Sequence, residues 1–471
     1  MNIKIKTVNP AKFDGHIVVL VSGKHTDLEP LGIDKQEVKA MLKRRSNKHI
    51  HVNTLTRLDK NLYLIFDNGK STVSDYHKAG AEVQQSVVAK PNRKVGVIAA
   101  GAHEEMCHAF VEGLVLNDYA FDKYRSKKAR HIELLAIDKK SIKLPALEAS
   151  MSLWQRMEQC RNWVNEPVIN LNAPVFANEL KAAAKAAGVR CTVLGQKQIE
   201  SLKMGGILAV NRGSVDEARL VVLEYKPARC KNKKPVVLVG KGIMYDTGGL
   251  NIKPDEYMRE MKSDMAGAAT MASALFAAAD RKLSLHIIAI LPLTDNRPGF
   301  NAYAADDIIT MHNGSTVEVV NTDAEGRLIL ADALSYARQY KPALVIDAAT
   351  LTGAAARAIG PFGIAMMQKK ADAAAKKLRQ CGEEVYERLV EFPMWDEYND
   401  LIKSDVADIK NCGTAQAGCI TAAKFLEHFT NYPYIHLDIA GVAFFDKRVP
   451  MYGIGASGYG LRLLVEFLEK Y

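Results

Sequence analysis

Three glycine-flanked stretches between residues 236 and 330 limit what this chain can fold into. They are Val239-Gly240-Lys241-Gly242-Ile243-Met244-Tyr245-Asp246-Thr247-Gly248-Gly249, Met261-Lys262-Ser263-Asp264-Met265-Ala266-Gly267 and Asn321-Thr322-Asp323-Ala324-Glu325-Gly326-Arg327-Leu328. With Lys253 between the first two, they put Lys241, Asp246, Asp264, Asp323, Glu325 and Arg327 at loop-like positions, and none of the stretches contains a histidine. One acidic, glycine-rich loop is ordinarily a turn or a helix cap, and Asp264 could simply cap a helix over 266–279. Three within one apolar segment ask for more. Carboxylates gathered in apolar surroundings resist ionising together unless cations neutralise them. Hard oxygen donors without imidazole suit Mg, Mn or Zn, and shared carboxylates suit a two-metal centre.

The rest of the chain allows a large enzyme. Its 471 residues correspond to roughly three domains at about 150 residues each, or to two large ones. No apolar run approaches the roughly 18 residues of a membrane span, and the alternating start Met1-Asn2-Ile3-Lys4-Ile5-Lys6 reads as a strand rather than a signal peptide. Seven cysteines, an odd number without a C-x-x-C pair, point to reduced thiols and a cytoplasmic setting. The net charge of +10 could mean nucleic-acid binding. The cations are dispersed, however, apart from Lys43-Arg44-Arg45 and Lys123-Tyr124-Arg125-Ser126-Lys127-Lys128-Ala129-Arg130, so a solvated basic face is the better reading.

Periodicity divides the chain into two α/β domains. Over 1–146 strands are expected at 17–21, 49–55, 61–66 and 94–99, and helices at 35–45, 78–87 and 104–116. His103 and His108 lie five apart, so they cannot make the i, i+4 zinc pair of a helical metalloprotease motif. A strand over 131–137 follows, then a linker helix over 147–165, which Pro167 and Pro174 bring to an end. The larger domain, 166–471, alternates strands and helices as a mostly parallel or mixed sheet flanked by helices requires. Strands are expected at 190–194, 219–225, 236–240, 285–291, 343–348 and 435–439. Helices are expected at 174–187, 196–202, 266–279, 327–339, 371–389, 420–429 and 461–469. Asn313-Gly314 marks a hairpin between 308–311 and 316–320. Ligands in such sheets collect beyond the carboxyl ends of strands, which is where Lys241 and Asp323 fall.

The three stretches resemble the leucyl (cytosol) aminopeptidase family of two-metal exopeptidases. Residues 321–328 match the family signature without departure, and 241–249 and 261–267 match its other metal-binding blocks. Further matches are Arg161-Asn162-Trp163-Val164-Asn165-Glu166-Pro167, Asp347-Ala348-Ala349-Thr350-Leu351-Thr352-Gly353-Ala354, Ser404-Asp405-Val406-Ala407-Asp408, Asn411 and His436-Leu437-Asp438-Ile439-Ala440-Gly441. The likeness is strong from about 150 onward and thin before 110. Tyr245 and Thr247 replace the usual Phe and Ser, which are chemically close.

The resemblance implies roles. Lys241, Asp246, Asp264 and Glu325 would hold one ion; Asp246, Asp323, Glu325 and the Asp323 carbonyl would hold the other. From the residues alone, Lys241 reads better as a salt bridge to these acids. Lys253 would stabilise the oxyanion and Arg327 would hold a bicarbonate general base. Met261, Thr350, Leu351 and Gly353 would contact substrate together with Lys253, while His436, inside an apolar strand, reads as structural. The family implies a leucine-preferring aminopeptidase with Mn or Zn (Mg or Co as further candidates), acting on peptides as a homohexamer built from two trimers. Some bacterial relatives also bind DNA, which leaves a DNA-binding role as the alternative reading. A serine hydrolase or a dinucleotide-binding protein finds no motif, because Gly455-Ala456-Ser457-Gly458-Tyr459 lacks the last glycine of G-x-S-x-G and Gly240-Lys241-Gly242 lacks the third glycine of the dinucleotide fingerprint.

Overall fold

The computed structural model describes residues 3–7, 13–21, 28, 34–43, 50–57, 60–67, 69–138 and 142–471. Met1, Asn2, Arg44, Arg45 and His49, on which parts of the sequence reading fall, lie outside them. The chain forms two compact units, Met1–Glu158 with Phe445–Ile454, and Gln159–Phe444 with Gly455–Tyr471.

In the first unit, β-branched runs form a six-stranded sheet in the order Lys4–Thr7, Leu134–Ile137, Lys94–Ala100, His16–Val21, Lys60–Asp67, Ile50–Arg57. Its pairs are parallel except the last, which is antiparallel. The helices Lys35–Lys43, Val73–Val88 and Glu104–Asn117 belong to this unit. Helix Val73–Val88 starts at a capping box, in which Thr72 Oγ1 accepts from Asp75 N and Asp75 Oδ2 accepts from Thr72 N. In the basic stretch, Lys128 Nζ donates to the carbonyls of Asp122 and Lys123, and Arg130 donates to the carbonyl of Lys90. Part of that charge is thus turned onto backbone.

The second unit is built on a nine-stranded mixed sheet in the order Leu389–Glu391, Ile364–Lys369, Tyr434–Asp438, Leu344–Ala349, Val236–Gly240, Ile287–Asn296, Arg219–Tyr225, Arg190–Leu194, with Gly242–Asp246 paired to Ile287–Asn296. Four central strands are parallel, Tyr434–Asp438 to Leu344–Ala349 to Val236–Gly240 to Ile287–Asn296. Strands covered on both faces read as unbroken apolar runs, as Val236–Gly240 does. Val237 and Val239 pack into a core with Leu328, Ile329, Phe425 and Phe429. On the opposite face Gly240 lies against Ala268 of the helix Ala266–Asp280, whose alanines and glycine allow close approach.

Several boundaries differ from expectation. The strand expected to stop at 291 runs to Asn296 and carries Pro292 inside it. Its parallel pairing with Val236–Gly240 ends at Ile290, and its pairing with Gly242–Asp246 begins at Leu293. The imino acid therefore falls where no ladder bond is needed on that side. The helix expected over 371–389 stops at Val385 and gives way to a strand, Leu389–Glu391, because Tyr386 turns left-handed at φ 57°. The linker helix spans Leu144–Asn165. Among the described residues no helix is long and apolar enough to cross a membrane.

Candidate metal centre

The parallel strands deliver the acids to one end of the sheet. Val236–Gly240 ends immediately before Lys241, whose backbone is pinned by Lys241 N to Ala348 O at 3.0 Å and Ala268 N to Lys241 O at 2.8 Å. Its side chain passes over Gly326, where an added Cβ would lie 2.4 Å from Lys241 Cε. Strand Gly242–Asp246 then ends on Asp246, and the turn after it uses Gly248 and Gly249 at φ +86° and +69°, a region that side chains disfavour. Asp323 sits in the turn before the helix Glu325–Ala337, which carries Glu325 and Arg327 in its first turn.

The structure brings Lys241, Asp246, Lys253, Asp264, Asp323 and Glu325 into one cluster. Lys241 Nζ meets Asp264 Oδ1 at 2.8 Å, Glu325 Oε1 at 2.9 Å and Thr350 O at 3.0 Å. Lys253 Nζ meets Asp246 Oδ2 at 2.9 Å and Asp323 Oδ1 at 2.5 Å. Lys241 thus forms ion pairs with Asp264 and Glu325. Asp264 is not the cap of the following helix. It lies in the 3₁₀ turn Met261–Met265, Met265 occupies the cap without a side-chain bond, and Asp264 Oδ1 also accepts from Thr350 Oγ1 at 2.7 Å.

Four carboxylates face two ammonium groups, and burial is the largest influence on their titration. Burial, then Glu325 and Asp264, push Asp246 well above the usual carboxylate range. Burial raises Asp264 to about 7 against the pull of Lys241. Burial and Glu325 also raise Asp323, which is the most open of the four. Glu325 is buried too, but Lys241 and Lys253 together hold it below its ordinary value. Both lysines stay charged despite burial, because the acids outweigh it.

This donor set fits divalent cations. Asp246, Asp323 and Glu325 each offer an oxygen within 4.8 Å of the others'. Among the described residues Asp264 Oδ2 and Glu325 Oε2 are buried without a hydrogen-bond partner, acceptors that a hard cation would satisfy.

Arg327 is buried; its Nη1 donates to Asn411 O at 2.8 Å, and its Nε finds no partner among the described residues. Burial draws the guanidinium's pKa down. Thr350 follows the strand Leu344–Ala349 and touches Lys241 and Asp264 as above. Leu351 N donates to Asp438 Oδ1 at 3.1 Å. Gly353 opens the helix Gly353–Ile359 and is exposed, and Met261 is half-buried at the start of its 3₁₀ turn. His436 is fully buried with Nδ1 2.8 Å from Asp347 Oδ1, and Asp347 holds it above the ordinary imidazole range despite burial. That is a structural place.

Sequence reasoning missed Asn296 and Tyr303. Asn296 Nδ2 donates to Asp246 Oδ1 at 2.8 Å and to Thr322 O at 3.0 Å, and Tyr303 Oη donates to Thr322 O at 2.7 Å. The available signal was the polar run Thr294-Asp295-Asn296 closing an apolar strand before Pro298-Gly299.

Comparison with known proteins agrees with this architecture. Residues 158–465 match the catalytic-domain model of the cytosol aminopeptidase family, and residues 67–128 match the family's N-terminal-domain model. A "Probable cytosol aminopeptidase" of Geobacter sulfurreducens is 42% identical over 411 residues, covering 85% of this chain and 80% of that protein. One from Syntrophotalea carbinolica is 43% identical over 371 residues, covering 76% and 74%. Among solved structures, the bottromycin maturation enzyme BotP in complex with Mn superposes with a TM-score of 0.86 at 29% identity, covering 97% of this chain and 99% of BotP. A mutant of tomato leucine aminopeptidase gives a TM-score of 0.86 at 26% identity, covering 100% and 97%. Matched across most of its length by this family, the chain belongs to the cytosol aminopeptidase family and is a metal-dependent aminopeptidase.

Proposed function

We propose that this chain releases N-terminal residues, preferably leucine and other bulky apolar ones, from peptides, with two divalent ions per subunit. The observation that carries the reading is the cluster of four carboxylates on two lysines, with buried acceptor oxygens left unbonded. Lys241, Asp246, Asp264 and Glu325 would hold one ion. Asp246, Asp323, Glu325 and the Asp323 carbonyl would hold the other, with Asp246 and Glu325 shared between them. Mn suits these donors and accompanies the BotP relative; Zn is the second candidate, with Mg and Co behind it. Bound there, the ions supply Lewis acidity and lower the pKa of the attacking water.

The chain's own groups do the rest. Lys241 must give up its proton to act as a ligand, a loss that a neighbouring dication favours. Lys253, held charged between Asp246 and Asp323, would donate to the scissile carbonyl oxygen as negative charge develops on it. Arg327 would hold a bicarbonate as general base, and its buried, unpartnered Nε suits an anion. The base then need not come from a histidine or a free glutamate. Met261, Thr350, the Leu351 carbonyl and Gly353 would align the substrate. Recognition of the free α-amino group at the acidic cluster confines cleavage to chain ends. The family's homohexamer of two trimers, working in the cytoplasm on short peptides, completes the reading.

Paired substrates test it. A leucine-initiated peptide with a free amino terminus should lose its first residue, while its N-acetylated twin stays intact by mass spectrometry. Equal cleavage of the acetylated peptide would overturn the exopeptidase assignment.

A further inference from the structure

We propose that Asn296 is a positioning residue for the metal centre, its side-chain amide holding Asp246 and the Asp323 loop in one fixed relation. The inference rests on the two-ion reading above. Asn296 is the last residue of the strand Ile287–Asn296 and is completely buried. A side-chain amide has two N–H donors. Here both are spent on the cluster's loops, one on Asp246 Oδ1 at 2.8 Å and one on Thr322 O at 3.0 Å. The main chain adds to the hold, since Asn296 O accepts from Thr247 N at 3.0 Å and from Thr247 Oγ1 at 2.8 Å.

The remaining atom shows which way the residue is turned. Asn296 Oδ1 is buried without a partner among the described residues, an unfavourable arrangement for an acceptor. It lies beside Gly249, where an added Cβ would be 2.9 Å away. The face towards the cluster therefore carries donors, and Asn296 is not a ligand in this arrangement. Its effect is on the ligands. Together with Gly248 N, which donates to the same oxygen at 2.8 Å, it fixes the Asp246 carboxylate plane through Oδ1 and leaves Oδ2 facing the cluster, where Lys253 meets it. By occupying Thr322 O it fixes the peptide next to Asp323. Asp246 and Asp323 come from loops more than seventy residues apart in sequence, and both belong to the second ion's donor set. Outer partners that orient ligands in this way typically account for about 10–100-fold in metal affinity.

The experiment is Mn²⁺ titration of the chelator-stripped full chain by calorimetry, for wild type, Asn296→Ala, Asn296→Ser and Tyr303→Phe. Two Asn296 variants are used so that a folding defect in one leaves the other readable. Melting midpoints without metal report structural damage separately. Both Asn296 variants should bind the more weakly held Mn²⁺ about 10–100-fold less tightly. Their kcat should fall at limiting Mn²⁺ and recover at saturation, with KM for peptide unchanged. Tyr303→Phe, which loses only the hydroxyl bond to Thr322 O, should shift affinity the same way by less. Variants that melt lower yet bind both ions as wild type does would overturn the proposal, leaving Asn296 a purely structural residue. A wild type that takes up no divalent ion would overturn the two-ion reading and this one with it.

Discussion

Lys241 is the residue on which the centre turns. Its ammonium is buried against Asp264, Glu325 and the Thr350 carbonyl, three acceptors for three protons. Removing one partner of a buried ion pair strands the others and costs about 3–5 kcal/mol. Lys241→Met should therefore lower the urea-denaturation stability of the metal-free chain by that amount, and saturating Mn²⁺ should restore part of it by neutralising Asp264 and Glu325. An unchanged midpoint would mean that the pair contributes nothing. Arg327 carries a second prediction. Arg327→Lys keeps the charge but loses the planar fork, so kcat should fall by about 100-fold or more with KM little changed. Added bicarbonate should stimulate the wild type and not the variant. Both residues were legible because each sits in a dense local motif. Asn296 was not, since its importance lies in two contacts that the fold brings in from distant loops.

At the level of elements, most strands and helices followed from apolar periodicity, and the errors have local causes. Pro292 stands inside a strand expected to end at 291, although a proline in a central strand removes a ladder bond. Only the change of neighbour from Val236–Gly240 to Gly242–Asp246 makes room for it, and Lys241 leaves the sheet in that same gap. The helices Val73–Val88 and Glu104–Asn117 depend on a reciprocal notch. A Cβ on Gly80 would lie 2.1 Å from Phe110 O, and one on Gly113 2.1 Å from His77 O. Gly80→Ala or Gly113→Ala should cost the first unit about 1–3 kcal/mol, read as an earlier denaturation transition. A pH effect belongs to the same unit. A hydrogen bond to Asp118 raises His131 above its ordinary value of 6.5 in spite of partial burial. The folded state then binds the proton more tightly than the unfolded chain does. The resulting stabilisation is full below pH 6.5 and is lost as pH rises through the raised value. His131→Gln should flatten the pH dependence of the first unit's melting above pH 6.5.

For the whole molecule, two α/β units and a sheet-end site were expected from the alternation of elements and from where glycine-flanked acids fall along it. The chemistry came from the motifs, since an α/β sheet alone hosts many activities. The central claim is that the carboxylate cluster works only with divalent metal. Hydrolysis of leucine p-nitroanilide by chelator-stripped protein, with Mn, Zn, Mg or Co added back, tests it most directly, with Asp323→Ala and Glu325→Ala alongside. The account predicts activity that returns with metal in the wild type and stays absent in both variants. Activity that survives chelation, or that metal restores equally in the variants, would contradict it.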